Sequence, residues 1–227
     1  MTIKSILSRV SIFDSFSPDQ LGEVAGLLSE KKFKSEENIF LESEPGKNFF
    51  IVSQGRIKIY KMSVGGHVKV LDYLEVGDFF GEMALLDNTS RSANAVALTD
   101  STLLILKKED FTSLMGSQPE LLLQIARTLS ARLRKADIEI EMLSFSSVKK
   151  RLIQSIYNLA DKYGEGTPEG ILIPREFTHQ DISELVGTAR EVVSRVLREL
   201  KDEGLVIADG RNIFVKDLNR LLEEIRD

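Results

Sequence analysis

Through the first half of the chain, apolar residues come in short runs broken by turn signals. Phe49-Phe50-Ile51-Val52 is closed by Gln54-Gly55, and within Arg56 to Met62 the residues Ile57 and Ile59 alternate with polar positions. That alternation is what a half-buried strand requires. Ser63-Val64-Gly65-Gly66 reads as a hairpin turn, and His67 to Leu74 returns with Val68 and Val70 on one face. Val76-Gly77-Asp78 turns again. Ala93 to Leu98, a Thr99-Asp100 turn and Thr102 to Leu106 add two more strands. Many short strands with frequent turns predict a closed or sandwich-like antiparallel fold, preceded by a short helix over Pro18 to Glu30.

The pattern then changes period. Leu122, Leu129, Ala136 and Leu143 recur every seven residues, as do Ala126, Leu133 and Ile140. The two series interleave as a heptad seam, flanked by Arg132, Arg134, Lys135, Asp137, Glu139 and Glu141. Ser117 with Glu120 forms a capping-box pattern at its start. The seam predicts a coiled coil whose simplest partner is a second copy of the same helix, against the alternative of one amphipathic helix packed on its own domain. Ser144-Phe145-Ser146-Ser147 interrupts the pattern as a hinge. Helical spacing resumes from Val148 with Leu152, Ile156 and Leu159, and Gly164 to Gly170 reads as a loop.

After Pro174 two short helices are predicted about Gly187, one opening at Thr178-His179-Gln180-Asp181 and one at Thr188-Ala189-Arg190-Glu191, the latter a second capping-box pattern. The second buries Val192, Val193, Val196, Leu197 and Leu200. Leu205-Val206-Ile207, an Asp209-Gly210 turn and Ile213-Phe214-Val215 make a hairpin, and Leu218, Leu221, Leu222 and Ile225 stripe a last helix. Two helices about a glycine followed by a β-hairpin outline a winged helix-turn-helix.

Composition narrows the chemistry. With no cysteine, disulfides, thiolate metal sites, iron–sulfur clusters and a cysteine nucleophile are excluded. His67 and His179 are too few and too far apart in sequence for a histidine metal centre. A haem held through His67 is disfavoured, because a histidine beside Gly66 in a hairpin turn is normally solvated. No catalytic constellation, required cofactor or metal site is therefore expected, and the chain reads as a non-enzyme. Without an apolar transmembrane run or a signal-peptide core, no membrane partner and a cytoplasmic location are expected. The net charge of −5 means that any DNA contact must come from a local basic surface on an acidic body.

Such a surface is visible. Glu191, Arg195 and Arg198 share one face of the second short helix, with Arg190 beside them. Arginine can grip guanine O6 and N7 with two hydrogen bonds, and glutamate can accept from cytosine N4. The alternative is that Glu191 caps Thr188 and pairs with Arg195. A second cluster follows Phe79-Phe80. Gly81 lets backbone come close, a short helix from Glu82 offers N–H groups, Glu82 can accept from a hydroxyl, and Arg91 on an exposed rim with Ser92 suits a phosphate. The alternative there is a simple turn with Arg91 paired to Asp87.

The run from Phe177 to Leu197, FTHQDISELVGTAREVVSRVL, resembles the helix-turn-helix signature of the cyclic-AMP receptor protein (Crp/Fnr) family, and the order of regions is similar over essentially the whole chain. The resemblance implies an α+β fold. Residues 1–116 would form a cyclic-nucleotide-binding-type, jelly-roll-like β-roll, 117–146 a dimerisation helix and hinge, and 147–227 the winged helix-turn-helix. It implies a homodimer that reads palindromic TGTGA-like sites in double-stranded DNA, with RNA polymerase and a small-molecule effector as further partners. Residues implied in DNA binding are Thr178, Gln180, Thr188, Arg190, Glu191, Ser194, Arg195, Arg198 and Arg211. Gly81, Glu82, Arg91, Ser92 and Ala93 match the family's phosphate-binding cassette, with Met83 and Ala84 as further effector-binding residues, which implies a cyclic nucleotide, cAMP or cGMP, as allosteric effector. The family's threonine–serine pair that touches adenine is replaced by Ala136 and Asp137. Asp137 can accept from adenine N6 or from guanine N1 and N2, or pair with Arg134 or Lys135. Effector-independent DNA binding, or a non-DNA cyclic-nucleotide-binding module, stay open as alternatives.

Overall fold

The computed structural model describes residues 2–209 and 212–226. Gly210 of the expected Asp-Gly turn and Arg211 lie outside the described residues. The chain divides into two compact units, Met1–Lys61 with Leu71–Lys135, and Met62–Val70 with Ala136–Asp227.

The first unit opens with α1 (Ile3–Leu7), a short 3-10 turn and α2 (Pro18–Leu27), whose start is fixed by a Ser17–Gln20 capping box with proline at the first helical position. Two four-stranded antiparallel sheets follow. In the first, β1 (Ser29–Phe33), β8 (Ser101–Lys107), β3 (Asn48–Gln54) and β6 (Phe79–Phe80) lie in that order. In the second the order is β2 (Asn38–Phe40), β7 (Asn94–Ala97), β4 (Ile57–Met62) and β5 (Val68–Leu74), Met62 and Val68–Val70 being counted with the second unit. The strands expected from Phe49 to Leu106 are all present. β1, β2 and β6 are additional, and α2 ends before Glu30, which belongs to β1.

Two cores explain why Phe49–Val52 of β3 and Leu103–Leu106 of β8 are apolar at consecutive positions. Side chains alternate across a strand. Phe49 and Ile51 of β3, with Leu104 and Leu106 of β8, face a core shared with Leu7, Val24 and Phe111. Phe50 and Val52, with Leu103, face the other core with Ile57, Ala95 and Ala97. Phe49 stacks on Phe111 at 4.8 Å and Phe50 on Phe80 at 5.1 Å between ring centroids.

Phe111 lies on α4 (Lys108–Ser117), a helix the apolar pattern did not announce. It corrects the expected start of the long helix. Ser117 is the last residue of α4 and its hydroxyl donates to Leu114 O, so it is not a cap; α5 (Pro119–Phe145) begins with proline at its first position. Leu121 and Ile125 of α5 are buried in the first core, with Leu129 packed against it. The first turns of α5 thus pack on their own domain, the reading set against the coiled coil. Beyond them the seam residues Ala126, Leu133, Ala136, Ile140 and Leu143 are exposed, Leu133 at 64%.

In the second unit the chain leaves the helix at Ser146 and Ser147, two of the four residues expected as a hinge, while Ser144 and Phe145 belong to α5. Only Ser146 and Ser147 separate α5 from α6 (Val148–Tyr163), and the Ser147 hydroxyl caps α6 by accepting from Lys150 N. Leu152, Ile156 and Leu159 of α6 are buried as expected. The expected loop at 164–170 contains β9 (Glu165–Thr167), which pairs with β10 (Gly170–Ile173). Next come α7 (His179–Val186), α8 (Arg190–Asp202), β11 (Val206–Asp209), β12 (Asn212–Val215) and α9 (Leu218–Arg226). The sheet order β11-β12-β10-β9 extends the expected hairpin to four strands. Val193, Val196, Leu197 and Leu200 bury the inner face of α8; Val192 is only half-buried.

Candidate effector pocket and nucleic-acid interface

The loop after β6 turns at Gly81, whose φ of +82° few side-chain-bearing residues adopt. A Cβ there would lie 2.7 Å from Arg91 Nη1 and 3.2 Å from Asn48 O. Glycine is therefore needed both for conformation and for space. The short helix α3 (Met83–Leu86) follows from Glu82. Ala84 is buried, Met83 and Ser92 are exposed, and the Ser92 hydroxyl faces Met83 Sδ at 3.6 Å.

Arg91 does not sit on an exposed rim, and it does not pair with Asp87. Its side chain is buried, because its guanidinium serves the fold. Nη1 donates to Gly81 O at 2.7 Å and Nη2 to Asn48 O at 2.8 Å, and the cation lies 4.2 Å over the Phe40 ring. Burial lowers the Arg91 pKa, while Glu82 and Glu44 pull it back up. Asp87 instead accepts from Thr89 N and Oγ1.

Glu82 is 1% exposed. Its Oε1 accepts from Arg132 Nη1 of α5 at 2.7 Å, and Arg132 Nη2 donates to Phe79 O at 2.7 Å. Arg132 was absent from the expected site and counted among the charged flanks of the seam. The signal that could have found it is Glu82 itself, since a buried carboxylate needs a cation. Two groups stay unsatisfied here: Glu82 Oε2 and Arg91 Nε are buried without a hydrogen-bond partner.

Ala136 and Asp137 lie on α5 in the second unit and are exposed. Lys135 is engaged elsewhere, with Asp72 at 2.7 Å, so it is not the partner of Asp137.

The helix-turn-helix is fixed by a reciprocal cap on α7. Thr178 Oγ1 accepts from Asp181 N, and the Asp181 carboxylate accepts from Thr178 N. Gly187 ends α7 in the left-handed region at φ +73°. The second expected capping box is not formed. Ala189 is the N-cap of α8 and supplies no side-chain cap, and Thr188 N instead donates to Ser183 O. Nor does Glu191 pair with Arg195, which binds Glu199 at 2.9 Å. Arg190 and Glu191 are thus exposed at an open helix start, with Arg195 and Arg198 one and two turns on. Gln180 is exposed and holds Glu184 at 3.0 Å. Ser194 faces inward to His179, its Oγ 3.2 Å from Nδ1. His179 Nε2 is buried without a partner, and burial followed by the nearby Arg190 charge lowers its pKa.

Comparison with known proteins agrees with this geometry. The cyclic nucleotide-binding domain matches residues 30–118 and the Crp-like helix-turn-helix domain residues 150–224. The chain is 32% identical to the cyclic AMP receptor protein of Thermus thermophilus, over 94% of this chain and 95% of that protein. It is 26% identical to the CRP-like cAMP-activated global transcriptional regulator of Mycobacterium tuberculosis, over 97% and 99%. Among solved structures, the Thermus thermophilus catabolite activator protein superposes with a TM-score of 0.56 at 30% identity, covering 95% of this chain and 98% of that one. The c-di-GMP-responsive regulator CLP of Xanthomonas campestris shares the fold, with a TM-score of 0.80 at 23% identity over 88% of this chain and 100% of that one. A β-roll, a long helix and a winged helix-turn-helix, matched in that order across nearly the whole of a relative, place the chain in the Crp/Fnr family of DNA-binding transcription regulators.

Proposed function

We propose that the chain acts as a homodimer on palindromic TGTGA-like sites, that a cyclic nucleotide in the β-roll gates this binding, and that it works with RNA polymerase at promoters. The observation that carries the effector reading is the pair of unsatisfied buried groups, Glu82 Oε2 and Arg91 Nε. A buried acceptor and a buried cationic N–H without partners are unfavourable alone. They match a small molecule offering a hydroxyl and an anion close together, as ribose and a cyclic phosphate do. Dimerisation is supported by the exposed seam of α5, which leaves Leu133 and Ile140 in water. Asp137 is exposed and makes no ion pair among the described residues.

The test is calorimetry on protein shown to be ligand-free, with cyclic AMP, cyclic GMP and cyclic di-GMP as titrants. One of them is expected to bind and to raise affinity for a palindromic duplex, and the duplex must then tighten the nucleotide by the same factor. No binding at millimolar concentration overturns the effector reading. It would favour the second one, effector-independent DNA binding, for which the structure also offers an observation: Glu82 Oε1 is already held by Arg132, and Arg91 by two carbonyls.

A further inference from the structure

The first helix of the DNA-reading pair is held at its C-terminal end by two cations from outside the pair, both within the second unit. A helix leaves its last carbonyls without intrahelical partners, and its dipole favours positive charge there. At the end of α7, Leu185 O accepts from Lys69 Nζ, and Val186 O accepts from Arg151 Nε at 3.4 Å. Neither cation stops there. Lys69 also forms an ion pair with Glu139 of α5, and Arg151 Nη1 donates to Ser146 O, the hinge carbonyl, at 2.8 Å. Gly187 lies between these straps, and a Cβ there would be 3.9 Å from both the Lys69 and the Leu143 side chains.

We propose that Lys69 and Arg151 are positioning residues for the recognition helix. They tie the turn of the helix-turn-helix to α5 and to the hinge, and so fix where the start of α8 points. Arg190 follows Gly187 by a single turn of chain, so freedom at Gly187 becomes freedom at the base-reading side chains. Holding that turn before DNA arrives lowers the ordering cost of binding. Lys69 is the sharper case, because its partners are a long-helix carboxylate and a main-chain carbonyl, and it adds nothing to the internal core of the winged domain. The inference requires only that the chain binds DNA; it is independent of any effector.

The experiment uses the full chain, with duplexes that the wild type selects from a randomised pool. In Lys69→Met, amide exchange at residues 187–191 is expected to quicken while the melting temperature is unchanged. Affinity for the selected duplex is expected to fall about three- to fivefold, the range of a partly exposed ion pair. Lys69→Arg should restore both. Glu139→Gln should weaken binding in the wild type but add little in Lys69→Met, since the two act through one strap. Unchanged exchange at 187–191, or unchanged or tighter DNA binding in Lys69→Met, overturns the proposal. Should the wild type select no duplex, the DNA-reading assignment fails instead, and the exchange measurement alone decides whether the strap holds the turn.

Discussion

Glycines at two turns show how one residue type answers different demands. Gly81 has a positive φ and no room for a methyl group, whereas Gly187 has a positive φ with only ordinary contacts nearby. Gly187→Ala should therefore show only the left-handed penalty, about 1 kcal/mol. Gly81→Ala should exceed that, because Arg91 or the Asn48 carbonyl must move; paired melting curves decide it, and equal losses would contradict the geometry. His179 gives a pH test. Its pKa is lowered in the folded protein, so the unfolded chain binds the extra proton as pH falls through about 6.5. The stability that neutral His179 contributes is present above that pH and is lost on acidification down to the lowered folded value. Melting temperatures of wild type should drop faster than those of His179→Gln between pH 7.5 and 5.5, about the ordinary histidine range. Parallel curves would refute the assignment.

At the scale of elements, α5 has two jobs along one axis. Leu121→Ala, which opens a cavity in the first core, should destabilise the β-roll by about 2–5 kcal/mol. Leu133→Asp should leave folding intact and shift sedimentation from dimer to monomer, since Leu133 is 64% exposed in the single chain. A dimer that survives Leu133→Asp would place the interface elsewhere. The seam was legible because Ala126, Leu133 and Ile140, and Leu129, Ala136 and Leu143, each keep a strict seven-residue period. The anchoring of α5 was not, because Leu121-Leu122-Leu123 supports two faces at once and periodicity cannot choose between them. β1 was invisible for another reason. Ser-Glu-Lys-Lys-Phe buries only Phe33, as suits an edge strand that carries charge against further pairing. The interior of the site was equally hidden. Arg91 could be named as a cation near Gly81, but its burial depends on carbonyls from β3 and the Gly81 loop that no local pattern brings together.

For the whole molecule, charge distribution decides how DNA is read. A body of net charge −5 cannot rely on general attraction to phosphate, so discrimination rests on a few side chains. Arg190→Ala and Arg195→Ala should each weaken specific binding by about 1–3 kcal/mol and leave the weak binding of scrambled DNA nearly unchanged. Anisotropy titrations over a range of salt separate the two contributions. A uniform loss on both duplexes would mean that these arginines contact the backbone only. No described helix is long and apolar enough to cross a membrane, so among the described residues no helical span holds this machinery to a bilayer.

The placement of Arg91 bears on how much water an anion would have to displace to bind there. Its guanidinium gave up its water when the β-roll folded, and carbonyl dipoles with the Phe40 ring now stand where solvent would be. If an anion binds there as proposed, it would meet a cation already stripped of water, and its own hydration shell would remain to be removed. On the proposed effector reading, the protein's share of the desolvation that ion pairing demands was met when the β-roll folded.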